Sequence, residues 1–279
     1  MVTAGGACEI LAANNAASKL VASLNKAMQL DLAAAPEMPA DRRLTSRLLV
    51  NLSKDLEDHI PRGIGIASED GDSIACRMCP TTDRDCLTLQ MMWLSPLLIR
   101  GMERRGAMLL HGALAERDGV GVIFAGPGGS GKTTVSGRLR APWRSLCDDT
   151  TLVVRDENGC YRAHPWPTWS RFMWGGPGGT WDVNYSVPLK AIFLLVKDKD
   201  MRVEPVGAAA ATILLQEVAE QASFFFLSTI DEDSARAQRL QRFDNVCAVA
   251  KKVPTSILYT SLASPFWDEV ERCLRGAEK

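Results

Sequence analysis

Long apolar runs are missing from this 279-residue sequence. The stretch that stands out, Phe224-Phe225-Phe226-Leu227, is far shorter than the roughly 20 residues a membrane-spanning helix needs. Met1 to Ala17 lacks a basic leader followed by a sustained apolar segment, so no secretory signal is expected and the reading is a cytoplasmic protein. An excess of one charge is lacking too. Lys and Arg number 32 against 33 Asp and Glu, a net charge of -1, which gives no support to nucleic acid or membrane as the main partner. Histidine is scarce, and that bears on Cys76-Arg77-Met78-Cys79 and Cys86: no second CxxC and no close histidine (His59 is the nearest) completes a four-ligand metal set. The eight cysteines are irregularly spread and read as free thiols. No internal repeat or long low-complexity segment appears. The hydrophobic fraction of 46% is ample for a core.

From Cys8 to Leu32 the chain is rich in Ala and Leu at helical spacing, with Leu20, Leu24, Ala27 and Met28 on one face and Asn14 or Ser18 as start signals. Pro36 and Pro39 end any helix there. Leu44 to Ile60 reads as a strand running into a helix, and Glu69 to Asp72 as a tight turn between short strands. Leu87 to Arg105 has a helical period through Leu89, Met92, Trp93, Leu97 and Met102. Residues 1–105 thus form a small α+β region without a catalytic motif, and 106–279 a second region. That region opens on Ala107 to Ala115, an Arg117-Asp118-Gly119 turn and Val120 to Ala125, which is a hairpin signal. Later strand-like runs (145–154, 191–196, 256–259) alternate with helix-like ones (208–226, 233–243, 265–274). The fold class expected is α/β, with a central mixed sheet.

Gly126-Pro127-Gly128-Gly129-Ser130-Gly131-Lys132-Thr133-Thr134 fits G-x-x-x-x-G-K-[ST] at every fixed position, after an apolar strand and before a helix. Glycines let such a loop bring backbone N–H groups close to phosphate oxygens, and the helix start adds its positive end. Lys132 is placed to reach the β/γ-phosphates of ATP or another nucleoside triphosphate, and the Thr133 hydroxyl to ligate Mg²⁺. Further on, Asp148-Asp149 interrupts what otherwise looks like a buried strand. Buried charge needs compensation, and a Mg²⁺ ion beside the loop supplies it; the plainer alternative is an acidic turn between strands.

His111-Gly112-Ala113-Leu114, the hairpin, the glycine-rich loop and Asp148-Asp149 together resemble the catalytic half of HPr kinase/phosphorylase, a family that shares its phosphate-binding fold with phosphoenolpyruvate carboxykinase. The likeness is specific over about residues 107–155. Trp143 to Leu146 and His164-Pro165-Trp166-Pro167-Thr168-Trp169-Ser170 more closely resemble the HPr-kinase-like proteins of SynChlorMet peptide-modification cassettes. The resemblance implies that Lys132 holds phosphates and Thr133 the Mg²⁺. It further implies that Asp148 lies against the metal, that Asp149 takes the proton of an acceptor serine, and that His111 sits near acceptor and phosphate. It has gaps. The family's downstream metal-binding glutamate has no evident counterpart. Glu204 to Ala210 holds alanines where HPr kinases carry an arginine, and the helix that engages HPr is not recognisable, so the implied acceptor is not HPr. HPr kinases assemble as hexamers, which leaves a homo-oligomer open, but residues 1–105 differ too much for that assembly to be carried over.

Trp166, Trp169, Trp174 and Trp181 cluster around Gly175-Gly176-Pro177-Gly178-Gly179, which cannot be regular helix. Aromatics on a glycine-hinged loop suit gripping a peptide, with Trp166, Trp169 and Trp174 as candidate contacts and Arg171 as a candidate for phosphate or carboxylate; anchoring the loop to the core is the plainer alternative. The leading expectation is an ATP-dependent kinase acting on a serine-type hydroxyl, on a peptide. A peptide-binding module without transfer and a kinase of a small molecule such as free serine are the alternatives.

Overall fold

The computed structural model describes residues 1–30, 44–56, 64–173, 179–227, 230–261 and 265–276. The chain opens with β1 (Val2–Thr3), β2 (Gly6–Ala12), α1 (Asn15–Met28), β3 (Leu44–Leu52), β4 (Ile66–Asp70), β5 (Ser73–Met78), α2 (Arg84–Leu98) and α3 (Arg100–Glu103). It continues through β6 (Met108–Arg117), β7 (Val120–Ala125), α4 (Lys132–Gly137), β8 (Arg144–Cys147), β9 (Thr150–Arg155), β10 (Tyr161–Trp166) and α5 (Ser170–Met173). It closes with β11 (Val187–Lys197), β12 (Arg202–Pro205), α6 (Ala208–Leu227), α7 (Glu232–Ala250), β13 (Thr255–Thr260) and α8 (Phe266–Gly276). This is an α/β fold with two mixed sheets.

The first sheet has the order β1-β2-β3-β5-β4, with β2, β3 and β5 mutually parallel. Cys8 to Ala12, expected as helix, is the strand β2. The parallel ladder to β3 outweighs the weak helical preference of Ala and Leu, and Gly6, at φ 137°, turns the chain into it. Helix α1 starts only after Asn14, whose side chain accepts from the Ala17 amide at 2.9 Å and satisfies one of the orphan donors of the first turn. Its buried face is Ala17, Leu20, Val21, Leu24, Ala27 and Met28, so the periodicity did identify the core stripe. The strand-into-helix expected over Leu44 to Ile60 is β3 followed by a single 3-10 turn, Lys54–Leu56; residues 57–60 lie outside the described ones. Asp83 caps α2 by accepting from the Cys86 amide at 2.8 Å.

The second sheet has the order β10-β9-β6-β7-β11-β13-β12, with β8 on β6, and it curls far enough for β10 to pair with the start of β11. Strands β7, β11 and β13 run parallel, so their carboxyl ends, Ala125, Lys197 and Thr260, lie at one edge. Alternation sorts their side chains between two faces. Phe124, Phe193 and Leu258 pack with Phe266 and Val270 of α8. Ile123, Ala125, Ile192 and Leu194 face the large core, which also takes in Leu215 and Phe226 of α6 and Val246 of α7. That core continues through Trp93 of α2 into Leu20 and Leu24 of α1 and Leu48 of β3, so both sheets share it. Polar ties join them as well. The Ala4 amide donates to Nε2 of the fully buried His164 (3.3 Å), and the Trp181 amide to the Ala27 carbonyl (2.8 Å).

Candidate functional site

His111 lies on β6 opposite Thr150 of β9, so the register sets Asp149, the residue before β9, beside the imidazole. The run expected as one strand over 145–154 is split: Asp148 and Asp149 form the bend between β8 and β9. The two neighbouring carboxylates part there. Asp149 faces the cavity beside the glycine-rich loop, and its Oδ1 lies 3.1 Å from His111 Nε2. Asp148 is buried on the other side, where Oδ1 accepts from the Thr168 hydroxyl (2.7 Å) and Oδ2 from Arg171 Nη2 (2.8 Å). Expected beside a metal, Asp148 instead has both oxygens engaged in a clasp that fastens the loop after β10 to the β8–β9 bend.

Burial pushes the Asp149 carboxyl up, but the hydrogen bond from His111, together with the nearby charges of His111 and Lys132, more than offsets it and holds its pKa below the usual carboxylate range. Asp149 is therefore ionised at neutral pH, and His111 Nε2–H is the donor between them. His111 Nδ1 is in turn 2.9 Å from Gln221 Oε1 on α6, which fixes the plane of the ring.

Hairpin β6–β7 delivers the chain into residues 126–131. Gly129 (φ 77°) and Gly131 (φ 106°) take left-handed backbone conformations that other residues adopt only with strain, although the space beside both is open. The Ser130 amide folds back to the Pro127 carbonyl (3.1 Å), and the first intrahelical bond runs from the Val135 amide to Gly131. The amides of Lys132, Thr133 and Thr134 thus precede the first intrahelical bond, as the first-turn donors of a helix do. Helix α4 is short, ending at Gly137 rather than near Leu139, so the loop amides and Lys132 carry more of the local positive potential than a macrodipole does. Lys132 is buried, and its ammonium donates to the carbonyls of Gly126 (2.9 Å) and Pro127 (3.1 Å); burial lowers its pKa, with Asp149 opposing.

These groups line one cavity of about 940 Å³, within the size range of small-molecule sites. Its floor is Gly128 to Val135, its near wall His111 and Asp149, and its far wall Lys197, Asp198, Lys199, Thr260 and Ser261. The far wall consists of the carboxyl ends of β11 and β13, where α/β sheets present ligand sites. Those residues and Gln221 escaped the sequence reading. The signal for the wall was the abrupt change from an apolar strand to Lys197-Asp198-Lys199-Asp200; Gln221 had none, since only the packing of α6 on β6 brings it to His111. Among the described residues no three His, Cys, Asp or Glu side chains gather as a metal cage. The Thr133 hydroxyl and the Asp149 carboxylate are oxygen donors that line the cavity beside the loop.

The tryptophans expected to grip a substrate lie mostly in the core. Trp166 is 1% and Trp169 6% exposed, and Trp181 is buried too, so these rings help anchor the loop, while Trp166 and Trp169 also line a smaller cleft beside His111 and Asp149. Arg171 is bound to Asp148, and Trp174 lies outside the described residues. Among the described residues no helix is long and apolar enough to cross a membrane.

Fold and site define an α/β protein in which a glycine-rich loop, a buried lysine and an Asp–His pair share the edge of a mixed sheet. The family model of the SynChlorMet cassette protein ScmC matches residues 74–275, and the chain belongs to that family. None of the curated proteins matches the chain.

Proposed function

We infer that the protein is an ATP-dependent kinase with an HPr-kinase-like catalytic region, which transfers the γ-phosphate to a serine-type hydroxyl on a peptide. The observation that carries this reading is the sharing of one cavity by the glycine-rich loop, Lys132, Thr133 and the Asp149–His111 pair. A triphosphate fits these residues: positive backbone angles at Gly129 and Gly131 open the loop, and Ser130 Oγ is buried with no hydrogen-bond partner among the described residues. Lys132, now on the loop carbonyls, is within a side-chain swing of phosphate oxygens laid in the loop.

In the reaction the serine oxygen bonds to the γ-phosphorus as the bond from that phosphorus to the β–γ bridging oxygen breaks. The nucleoside diphosphate leaves with that electron pair, and the hydroxyl proton passes to Asp149. A carboxylate with a lowered pKa is a weak base, so its main work is to hold the hydroxyl in line, which suits a loose transition state that asks little of a base. His111 keeps Asp149 oriented and adds a donor next to the transferred group. Mg²⁺, when bound, neutralises charge on the β- and γ-phosphates, and Thr133 with water and phosphate oxygens suffices to hold it.

A second reading, nucleotide-dependent binding of a peptide without transfer, has one observation in its favour: Asp148 is engaged by Thr168 and Arg171, which leaves one carboxylate fewer for metal. The test is mass spectrometry of short peptides encoded beside the gene after incubation with the protein and MgATP. Phosphate adducts are expected, with the rate reduced at least about 10²-fold in Lys132→Ala and Asp149→Asn. Tight MgATP binding with no adduct would favour the second reading.

A further inference from the structure

His111 and Asp149 also line a second, smaller cleft of about 220 Å³. They are the two residues it has in common with the cavity of the glycine-rich loop, so the pair stands as a partition between the two. The second cleft carries far fewer charged groups than the first. Met92 from α2, Leu109 from β6, Trp169, and Ala222 and Phe225 from α6 make up much of its wall. His111 and Asp149 are the ionisable groups among its lining residues.

The direction of attack makes this arrangement informative. In phosphoryl transfer the acceptor oxygen and the leaving oxygen lie roughly in line on opposite sides of the phosphorus. With the phosphates on the loop side of the partition, the acceptor enters from the cleft side. We propose that this cleft is the acceptor subsite, and that it takes a hydroxyl-bearing residue of a peptide together with an adjoining apolar side chain. The proposal rests on the kinase reading for the word acceptor, but the binding preference follows from the cleft itself.

Size and charge both favour that occupant. A dry cavity of roughly 150 Å³ admits a benzene ring, so this cleft has room for one aliphatic or aromatic side chain. Free serine would bring an ammonium and a carboxylate into a wall with no countercharge beyond the His111–Asp149 pair, and desolvating them is costly. A peptide bond removes both charges. A peptide also continues past the cleft, and at Gln221 the cleft adjoins a shallow depression along α6 between Ile213 and Phe224, each 72% exposed.

The test uses acetylated, amidated serine peptides that differ only in the residues flanking serine, Leu or Phe against Lys or Asp, with free L-serine alongside. Affinity is measured by calorimetry in the presence of a non-hydrolysable ATP analogue and Mg²⁺, and transfer by mass spectrometry with MgATP. Leu- and Phe-flanked peptides are expected to bind about tenfold or more tightly than charged ones, the worth of one partly buried apolar side chain. Ala222→Trp, which fills the cleft, is expected to abolish that preference, with analogue affinity as the check that the variant is folded. Equal binding of charged-flanked peptides or free serine by the wild type, or no binding of any peptide, overturns the proposal without reference to the variant. Preferential binding that transfers no phosphate leaves the subsite standing and removes the kinase reading instead.

Discussion

Asp148 and Asp149 are chemically identical neighbours with different surroundings, and those surroundings assign different consequences to their loss. Asp148→Asn weakens the clasp to Arg171 and Thr168, and a charge-assisted hydrogen bond of this kind contributes about 1–3 kcal/mol. The expected outcome is a lower urea midpoint with Mg²⁺-dependent nucleotide affinity little changed. Asp149→Asn is expected to do the reverse, with its main effect on transfer. A titration follows from the depressed pKa of Asp149. A carboxyl held below its ordinary value stabilises the fold above that value, about pH 4, and the stabilisation is lost as pH falls through the lower folded value. The Tm difference between wild type and Asp149→Asn should therefore shrink below about pH 4; a difference unchanged from about pH 5 down to about pH 3 would contradict it.

At the scale of elements, helix α7 is tied in by one buried side chain. Asn245 Nδ2 donates to the carbonyls of Glu103 (2.7 Å) and Ala107 (2.8 Å), which joins α7 to the end of α3 and the chain entering β6. Asn245→Ala removes both bonds, and because the Glu103 carbonyl keeps the Gly106 amide (3.1 Å) the loss falls mainly on the Ala107 carbonyl; the expected cost is about 1–3 kcal/mol in a denaturation curve. Much at this scale was legible in the sequence. The Asp118-Gly119 turn marked the β6–β7 hairpin, Gly71 the β4–β5 turn, and apolar spacing the core face of α1; for α2 it found Trp93 and Leu97 but not Met91, Leu94 or Leu98. What was not legible was β2, because its Ala-rich sequence carries no strand preference and its partners in β3 lie far along the chain, Cys8 opposite Ser46 and Ala12 opposite Val50. The tryptophans were only partly legible for a related reason: glycines beside aromatics mark a contact loop, but only packing shows Trp166 and Trp169 turned inward, with a side on the cleft behind His111 and Asp149.

For the whole molecule, the two sheets share one core, with Trp93 of α2 against Phe226 of α6 at a ring-centroid distance of 5.7 Å. Residues 1–105 are accordingly expected to unfold together with the rest. Far-ultraviolet circular dichroism and tryptophan fluorescence should report one coincident transition, and Phe226→Ala should lower it by about 3–5 kcal/mol without splitting it. Two separated transitions would instead mark residues 1–105 as a unit that folds on its own.

The sequence by itself determined the parts whose chemistry is local. The glycine-rich loop needs left-handed backbone at Gly129 and Gly131, Lys132 and Thr133 follow at a set spacing, and hairpin and cap signals act within a few residues. The tertiary structure alone decided which groups meet. A register between β6 and β9 put Asp149 rather than Asp148 on His111. The packing of α6 supplied Gln221, and the parallel order of β7, β11 and β13 brought Lys197 and Thr260 to the loop. Such contacts join residues tens to more than a hundred positions apart. Their geometry depends on burial and strand order summed over the whole chain, which no local spacing encodes.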